Sequence, residues 1–521
     1  MRKFIFFPLF SAFVFAFQSN AAFVNFETPP VHPMDLSPDG ATLAVCNTAA
    51  GMLDLYDVTS GVPVPIGSVA VGIDPVSVRF RTNEEAWVVN HVSDGVSIVH
   101  VTTQRVTDTI TTLDEPCDVV FAGSPELAFV SCSQVNVIQR FDPANLSTAP
   151  TSIAIEAEEP RALAVSPDGL TVYAAIFESG NGSTIIAGGN DGTLGGFPTN
   201  AAMDDATNPY GGVNPPPNDP LDTNSDSNLF IPAKAANGTA PRVGLIVRKD
   251  NGGFWRDDNG SDWTPWITGN KANLSGRYLG WDLIDRDVAA ITNLNAPVPT
   301  VTYANRLMNI CMSLAVNPAT GDITVVGTDG TNEVRFEPVI RGTFLRVNLG
   351  IVDSSNLANT NVIDLNAAHL AAAQPGGVDP YETSSVPQTE RDKSIGDPRG
   401  IVWNSAGTRG YITGMGSNNL VVVDQNGDRL ALGATTELRE GPTGVVLSAD
   451  ESILFVQNRF DGSISVVDTT TLVETANVPY FDPTPSDIKT GRKHLYDTHK
   501  NSGLGQIACA SCHVDSRMDR L

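Results

Sequence analysis

An all-β chain of about seven blades packed around a ring, a β-propeller, is predicted by three observations. A residue followed by proline, two variable positions and an aliphatic recurs at His32-Pro33-Met34-Asp35-Leu36, Asp74-Pro75-Val76-Ser77-Val78, Glu115-Pro116-Cys117-Asp118-Val119 and Glu159-Pro160-Arg161-Ala162-Leu163, and again at Asp397-Pro398-Arg399-Gly400-Ile401 and Gly441-Pro442-Thr443-Gly444-Val445. Neighbouring prolines stand 41 to 44 residues apart (33, 75, 116, 160; then 398, 442), the period of a four-stranded blade rather than of a helical pair. After each aliphatic run comes a turn such as Ser37-Pro38-Asp39-Gly40 or Ser166-Pro167-Asp168-Gly169, then further apolar or alternating runs such as Ser463-Ile464-Ser465-Val466-Val467-Asp468. That is the signature of an antiparallel meander. One such sheet cannot bury both faces, and ring packing solves this for all of them at once.

Along the chain, Arg2 and Lys3 precede an apolar run from Phe4 to Phe17, and Ser19-Asn20-Ala21 offers small residues to a signal peptidase. Residues 1–21 therefore read as an export signal, with an uncleaved membrane anchor as the alternative. No later stretch approaches the roughly 18 apolar residues of a membrane span. With the signal removed the formal charge moves from −26 to −28. Such acidity argues against nucleic acid as a partner and favours solubility or the steering of a basic partner.

Residues 22–485 are assigned to the propeller. Between Pro160 and Pro398 the register lapses, but Ile310-Cys311-Met312-Ser313-Leu314 followed by Asn317-Pro318-Ala319-Thr320-Gly321 marks a blade without its opening proline, the fifth of seven. The extra length falls in blades 4–5, as an insertion of approximately 190–305. Its segment from Asn190 to Pro241 is rich in Gly, Asn, Asp and Pro and reads as a long loop. Within the rest, Asp257, Asp258, Asn259 and Asp262 alternate with Trp and could ligate calcium through hard oxygens, although no EF-hand spacing is present. A solvated turn is the other reading, and the Trp residues could form a lid over a ligand.

The repeats are similar to the YVTN-type β-propeller repeat, on Ser166-Pro167-Asp168-Gly169-Leu170-Thr171-Val172-Tyr173-Ala174-Ala175 and Ser463 to Asp468. The resemblance covers most of residues 30 to 480. It implies the fold but not one function, since members of that family bind ligands, hydrolyse lactones or present cytochromes.

The last segment, 486–521, reads as the truncated start of a helical cytochrome c domain with a core separate from the propeller, and it carries the chemistry. Cys509-Ala510-Ser511-Cys512-His513 is a CxxCH, the attachment signal of haem c. Two thiols at this spacing add to the two vinyl groups of one porphyrin, and the adjacent imidazole ligates the iron. A zinc half-site or a thioredoxin-like pair would need partners that the flanks do not supply. The stretch from Gly491 through Leu495-Tyr496-Asp497 and Ser502-Gly503 to Cys509 resembles the first-haem segment of di-haem cytochrome c peroxidases and their methylamine-utilisation relatives. Carried over, Cys509 and Cys512 form the thioethers and His513 is the axial iron ligand. Eight residues after His513 cannot wrap a porphyrin, so the sequence is expected to be a fragment of a longer protein, the alternative being a haem that lies exposed or against the propeller. The sixth ligand is open: Met518, His494 and His499 are nearby, each with a packing role as the alternative. Cys117 and Cys132 flank an apparent hairpin and form either a disulfide or two buried thiols, whereas Cys46 and Cys311 are expected to be free and buried.

The expected function is thus a periplasmic or secreted haem c protein. The propeller is scaffold and docking domain, and the cytochrome segment transfers electrons to a redox partner protein or acts on a small-molecule substrate in a peroxidase-like way. A non-redox ligand- or partner-binding propeller is the alternative. His32, His91, His100 and His369 are too scattered for a multi-copper site.

Overall fold

The computed structural model describes residues 26–180, 182–186, 201–213, 244–250, 252–257, 260–331, 344–374, 381, 385–430 and 435–517. The export signal, most of the Asn190–Pro241 loop, Asp258, Asn259 and Met518 lie outside these residues.

Each opening motif starts an inner strand. Met34–Leu36, Pro75–Thr82, Pro116–Ala122, Glu158–Val165, Ile310–Val316, Pro398–Trp403 and Pro442–Leu447 each begin a four-stranded antiparallel sheet. The residue before proline turns the chain into the strand in the left-handed region: φ is 54° at Asp74, 53° at Glu115, 58° at Glu159 and 49° at Asp397, and Gly441 does the same at 71°. The turn after the inner strand is built by its own side chains. Ser37 Oγ donates to Asp39 Oδ1 at 2.6 Å and accepts from the Thr42 amide at 2.9 Å. Ser166 with Asp168, and Ser448 with Asp450, repeat the arrangement. This explains why serine and aspartate recur there.

The sheets close into a ring. Every inner strand lies against the next, and the first lies against the last. Seven apolar clusters fill the gaps between successive sheets. Leu53, Val69, Val88 and Val99 join the first two, Phe129, Ile138, Leu163 and Ile291 the third and fourth, and Leu43, Val45, Phe455 and Ile464 the last and first. The clusters draw chiefly on residues of two neighbouring sheets, so both faces of the sheets in the ring are buried, as the alternating runs require. All seven sheets, from 34–70 to 442–479, are formed without exchanging a strand between neighbours.

Two expectations are corrected. The excursion from the fourth sheet ends before Val288, not at 305, because Val288–Thr292 and Thr300–Ala304 are that sheet's third and fourth strands. Ala289 and Ile291 bury fully between the third and fourth sheets, which draws the chain back into register. The Trp residues are not a lid over the ring. Trp255 and Trp263 are buried with Met203, Trp266 and Ile267 in a separate core beside a three-stranded sheet of Ser183–Ile186, Leu245–Lys249 and Trp255–Arg256.

Across the middle of the ring runs a polar brace. Asp118, fully buried, accepts from Ser77 Oγ at 2.5 Å, from the Leu163 amide at 2.7 Å and from the Val119 amide at 2.9 Å, and pairs with His32 Nδ1 at 2.5 Å; Arg79 Nη2 is 3.7 Å away. Burial opposes the charge, but His32, Arg79 and the hydrogen bonds outweigh it and hold the carboxyl at about 2, against an ordinary 3.8. A depressed folded value means that this contribution, about 2 kcal/mol, is present above about pH 4 and is lost as pH falls toward about 2. Thermal unfolding of the parent protein and of Asp118→Asn should therefore differ most above pH 4 and converge by about pH 2. A difference independent of pH over that window would refute the ionised brace.

Candidate haem-attachment site at the mouth of the ring

Residues 486–517 do not form a helical unit with a core of its own, as the sequence resemblance implied. They cross the end of the ring at which the inner strands begin. The helix Ser486–Leu495 is followed by Tyr496, which stacks on Phe460 at a ring separation of 4.7 Å and packs with Met415 and Ala510. Asp497 caps the next helical turn, Thr498–Asn501, by accepting the Lys500 amide at 3.0 Å. The Thr498 amide donates to the Gly416 carbonyl at 2.9 Å, and Ser394 Oγ donates to the Leu504 carbonyl at 2.6 Å. Gly505 has φ 84°, and a Cβ there would meet the Arg391 carbonyl oxygen at 2.4 Å, so only glycine fits this approach. Val514 then buries against Phe177, Ile310 and Met312 of the fourth and fifth sheets.

The segment ends on an electrostatic latch. Asp515, at φ 56° and with its side chain 2 % exposed, reaches between Arg161 of the fourth sheet and Arg399 of the sixth, at 2.8 Å from Arg161 Nη1 and 2.8 Å from Arg399 Nη2. Each arginine is also held by the acid two residues before it, Arg161 by Glu159 at 2.6 Å and Arg399 by Asp397 at 2.9 Å. Arg161 lies over the Phe177 ring at 3.4 Å, and Arg517 adds a pair to Glu159 at 2.7 Å. Burial works against the Asp515 charge, but Arg399 and Arg161 outweigh it and hold the carboxyl at about 2.

On this support sits the CxxCH turn. Cys509–Cys512 is one helical turn, tied by Ser511 Oγ accepting the Ala508 amide at 3.0 Å and by the His513 amide donating to the Cys509 carbonyl at 3.0 Å. Cys509 and His513 are exposed and Cys512 is half-buried, while Ala510 and Ser511 face inward. His513 Nδ1 lies 3.1 Å from the Arg517 carbonyl oxygen, to which it donates as the Nδ1–H tautomer. That bond fixes the ring and leaves Nε2 as the metal-binding nitrogen, the usual outer support of a ligating histidine. An exposed thiol, a half-buried one and an imidazole so oriented fit a covalently attached haem.

No family model matches the chain, and no curated protein matches it by sequence. Hydrazine synthase of Kuenenia stuttgartiensis superposes with a TM-score of 0.51 and 17 % identity, covering 87 % of this chain and 98 % of that one. What they share is the fold. The dihydro-heme d1 dehydrogenase NirN in complex with DHE (TM-score 0.40, 11 % identity, 87 % and 67 % covered) and a putative 6-phosphogluconolactonase from Bacteroides uniformis (0.37, 13 %, 77 % and 82 %) are more distant.

The remaining sequence candidates are placed elsewhere. Asp257 spends its carboxylate on protein donors, taking Tyr210 Oη at 2.5 Å, Trp263 Nε1 at 2.9 Å and the Ser261 amide at 2.9 Å, and Asp262 accepts the Thr264 amide at 2.9 Å. The two carboxylates serve as local hydrogen-bond anchors, no cluster of three or more metal-ligating side chains occurs among the described residues, and Asp258 and Asn259 lie outside those residues. His499 Nε2 is 2.9 Å from the Ser394 carbonyl oxygen, and His494 is exposed on the helix Ser486–Leu495. Cys117 and Cys132 are free and belong to different packed clusters, Cys132 standing opposite Pro116 at a strand irregularity, so a bridge between them is not formed. Cys46 and Cys311 are free and buried. Sequence reading missed Arg161, Arg399, Asp515 and Arg517. The available signal was that two of the opening motifs share an acid-Pro-Arg form, Glu159-Pro160-Arg161 and Asp397-Pro398-Arg399.

Proposed function

We propose that the chain is an exported c-type haem protein in which a seven-bladed propeller serves as the rigid support of an electron-transfer centre. Cys509 and Cys512 hold the porphyrin through thioethers and His513 is its axial ligand. The observation that carries this reading is the exposed Cys509–Cys512 turn whose following histidine has its Nδ1 engaged by the Arg517 carbonyl. When bound, haem supplies reversible one-electron iron chemistry. The chain's own residues contribute placement: Asp515 and Val514 fix the turn on the ring, and Tyr496 and Ala510 pack beneath it. No helix among the described residues is long and apolar enough to cross a membrane. The electron partner is a redox protein or a small molecule reaching the exposed turn. The Trp-lid form of the alternative, a non-redox binding propeller, loses its support because those indoles are spent on a core.

The test is the intact mass and the reduced-minus-oxidised spectrum of protein made in a periplasm with cytochrome c maturation. One haem mass added to the processed chain, with sharp α and β bands, is the expected result. A bare mass without visible absorption moves the reading to the binding propeller.

A further inference from the structure

The end of the ring crossed by residues 486–517 is not covered evenly. In the seventh sheet Phe460, at the hairpin after the second strand, lies under Tyr496, and in the sixth the equivalent hairpin gives its Gly416 carbonyl to the Thr498 amide at 2.9 Å. In the second and third sheets the same hairpins carry Val92 and Val135, 49 % and 41 % exposed, and the turns that lead into the inner strands carry Ile73 and Leu113, 59 % and 38 % exposed. Scattered single aliphatics need no explanation, but these stand on turns stitched to one another. The Val92 amide donates to the Ile73 carbonyl at 3.3 Å, the Thr112 amide to the Asp94 carbonyl at 3.0 Å, and the Ser133 amide to the Glu115 carbonyl at 3.0 Å. They form a crescent beside the CxxCH turn: Arg517, whose carbonyl holds His513, sends its guanidinium to Glu159 at 2.7 Å and stands 3.9 Å from Glu115.

The charges at the crescent are one-sided. Residues 26–160 hold four arginines and no lysine, and Arg79, Arg81, Arg105 and Arg140 all stand in the halves of their strands away from this end. Of the carboxylates at this end, Asp74 is buried and accepts from Thr28, Glu156 pairs with Arg286 at 2.8 Å, and Glu115 and Glu159 face Arg517, with His91 at 3.9 Å from Glu115. Asp94 accepts the Glu115 amide at 3.1 Å, Asp114 and Glu158 are exposed, and among the described residues no cationic side chain lies within ion-pair distance of these three. The exposed Lys493, His494 and Lys500 stand instead over the sixth and seventh sheets, where Lys500 pairs with Asp497 at 2.8 Å. An aliphatic centre edged by charge of one sign has the anatomy of a protein-docking patch. A porphyrin lying here would bring its propionates against carboxylates, whereas a lysine-rich protein brings cations.

We propose, resting on the haem reading for the partner's role, that this crescent docks the electron partner, a small lysine-rich redox protein whose apolar contact covers Val92 and Leu113 and whose lysines meet Asp94, Asp114 and Glu158. The formal charge of −26 steers such a partner from a distance, and the local carboxylates orient it. Electron-transfer encounters are small and transient, so a few aliphatics and charges suffice.

The test is calorimetric titration of the full haem-loaded chain with mitochondrial cytochrome c, a small lysine-rich haem protein. Saturable one-to-one binding is expected at low salt, and binding at least about tenfold weaker at about 0.15 M ionic strength. Asp114→Asn with Glu158→Gln should weaken binding by about fivefold or more, whereas Glu84→Gln with Glu126→Gln, which removes the same charge at the opposite end of the ring, should change it by less than about twofold. Val92→Ser with Leu113→Ser, which leaves the charge alone, should weaken binding by about fivefold or more with the salt dependence retained. Cys509→Ser with Cys512→Ser should bind as the parent does, which separates the docking face from the haem reading: a bare mass in the parent refutes the latter and leaves these affinities to judge the former. No saturable binding at low salt, equal losses from the two ends, or unchanged affinity in Val92→Ser with Leu113→Ser each overturns the proposal. Binding by the haem-free chain alone would give the crescent to the porphyrin and overturns it as well.

Discussion

Cys509→Ser together with Cys512→Ser should give a protein that carries no covalent haem and is otherwise folded. Both thiols lie on one short solvent-facing turn, and Cys509 is exposed. Serine is close to isosteric there, and a surface substitution of this kind costs at most about 0.5 kcal/mol. The seven clusters that hold the ring include neither residue, so the far-UV circular dichroism and the midpoint of thermal unfolding should match those of the unmodified apo-protein. The intact mass should fall by one haem. His513→Ala is the informative companion: both thioethers can still form, so the mass is retained, while loss of the axial imidazole alters the visible spectrum. Covalent haem surviving in the double variant would show that the porphyrin is attached elsewhere.

The second large effect is expected at the latch. Asp515→Ala leaves Arg161 and Arg399, each with a side chain 4 % exposed, facing one another with no carboxylate between them. Removing one partner of a buried ion pair costs about 3–5 kcal/mol. Because the latch holds a strap rather than a blade, that loss should appear as release of residues 497–517 and not as collapse of the ring. Hydrogen exchange should rise sharply across the CxxCH turn and the Thr498 amide, which is otherwise bonded to Gly416, while the inner strands remain protected. Asp515→Asn tests the charge separately. Asparagine tolerates the left-handed backbone at this position, but its amide oxygen can accept from only one of the two arginines, so its effect should be of the same kind and somewhat smaller than that of alanine. Unchanged exchange in Asp515→Ala would mean that Val514 and Tyr496 suffice to dock the segment.

The ring was legible because its instructions are local and repeated. A proline after a left-handed residue, a Ser-Asp turn and an alternating apolar run each act within about ten residues, and even the fifth unit betrayed itself through Asn317 doing the work of the missing serine: its side chain accepts the Ala319 and Thr320 amides. The CxxCH was legible for the same reason. The docking of the C-terminal segment was not. It depends on an aspartate meeting arginines that lie 354 and 116 positions earlier in the chain, and no local pattern encodes such a meeting. The aromatic insertion was misread for a related reason. Alternating Trp and Asp suggested ligands and a lid, but the same alternation lets Asp257 take the polar edges of Trp263 and Tyr210 while their rings fill a core.

Because no sheet of the ring borrows a strand from its neighbour, the joint between the first and last sheets has no backbone ladder across it. Side chains rivet that seam. Gln457 reaches the Cys46 carbonyl at 2.9 Å and Asn47 the Phe481 carbonyl at 2.7 Å, while Arg459 and Arg492 both grip the Phe26 carbonyl at 3.0 Å, and Tyr496 donates to Glu27 at 2.8 Å. Two of these rivets, Arg492 and Tyr496, emerge from the ribosome after all seven sheets have been made. The hoop is therefore closed in part by the same stretch of chain that bears the CxxCH turn, and a nascent ring interrupted before residue 492 keeps only the Gln457, Asn47 and Arg459 rivets.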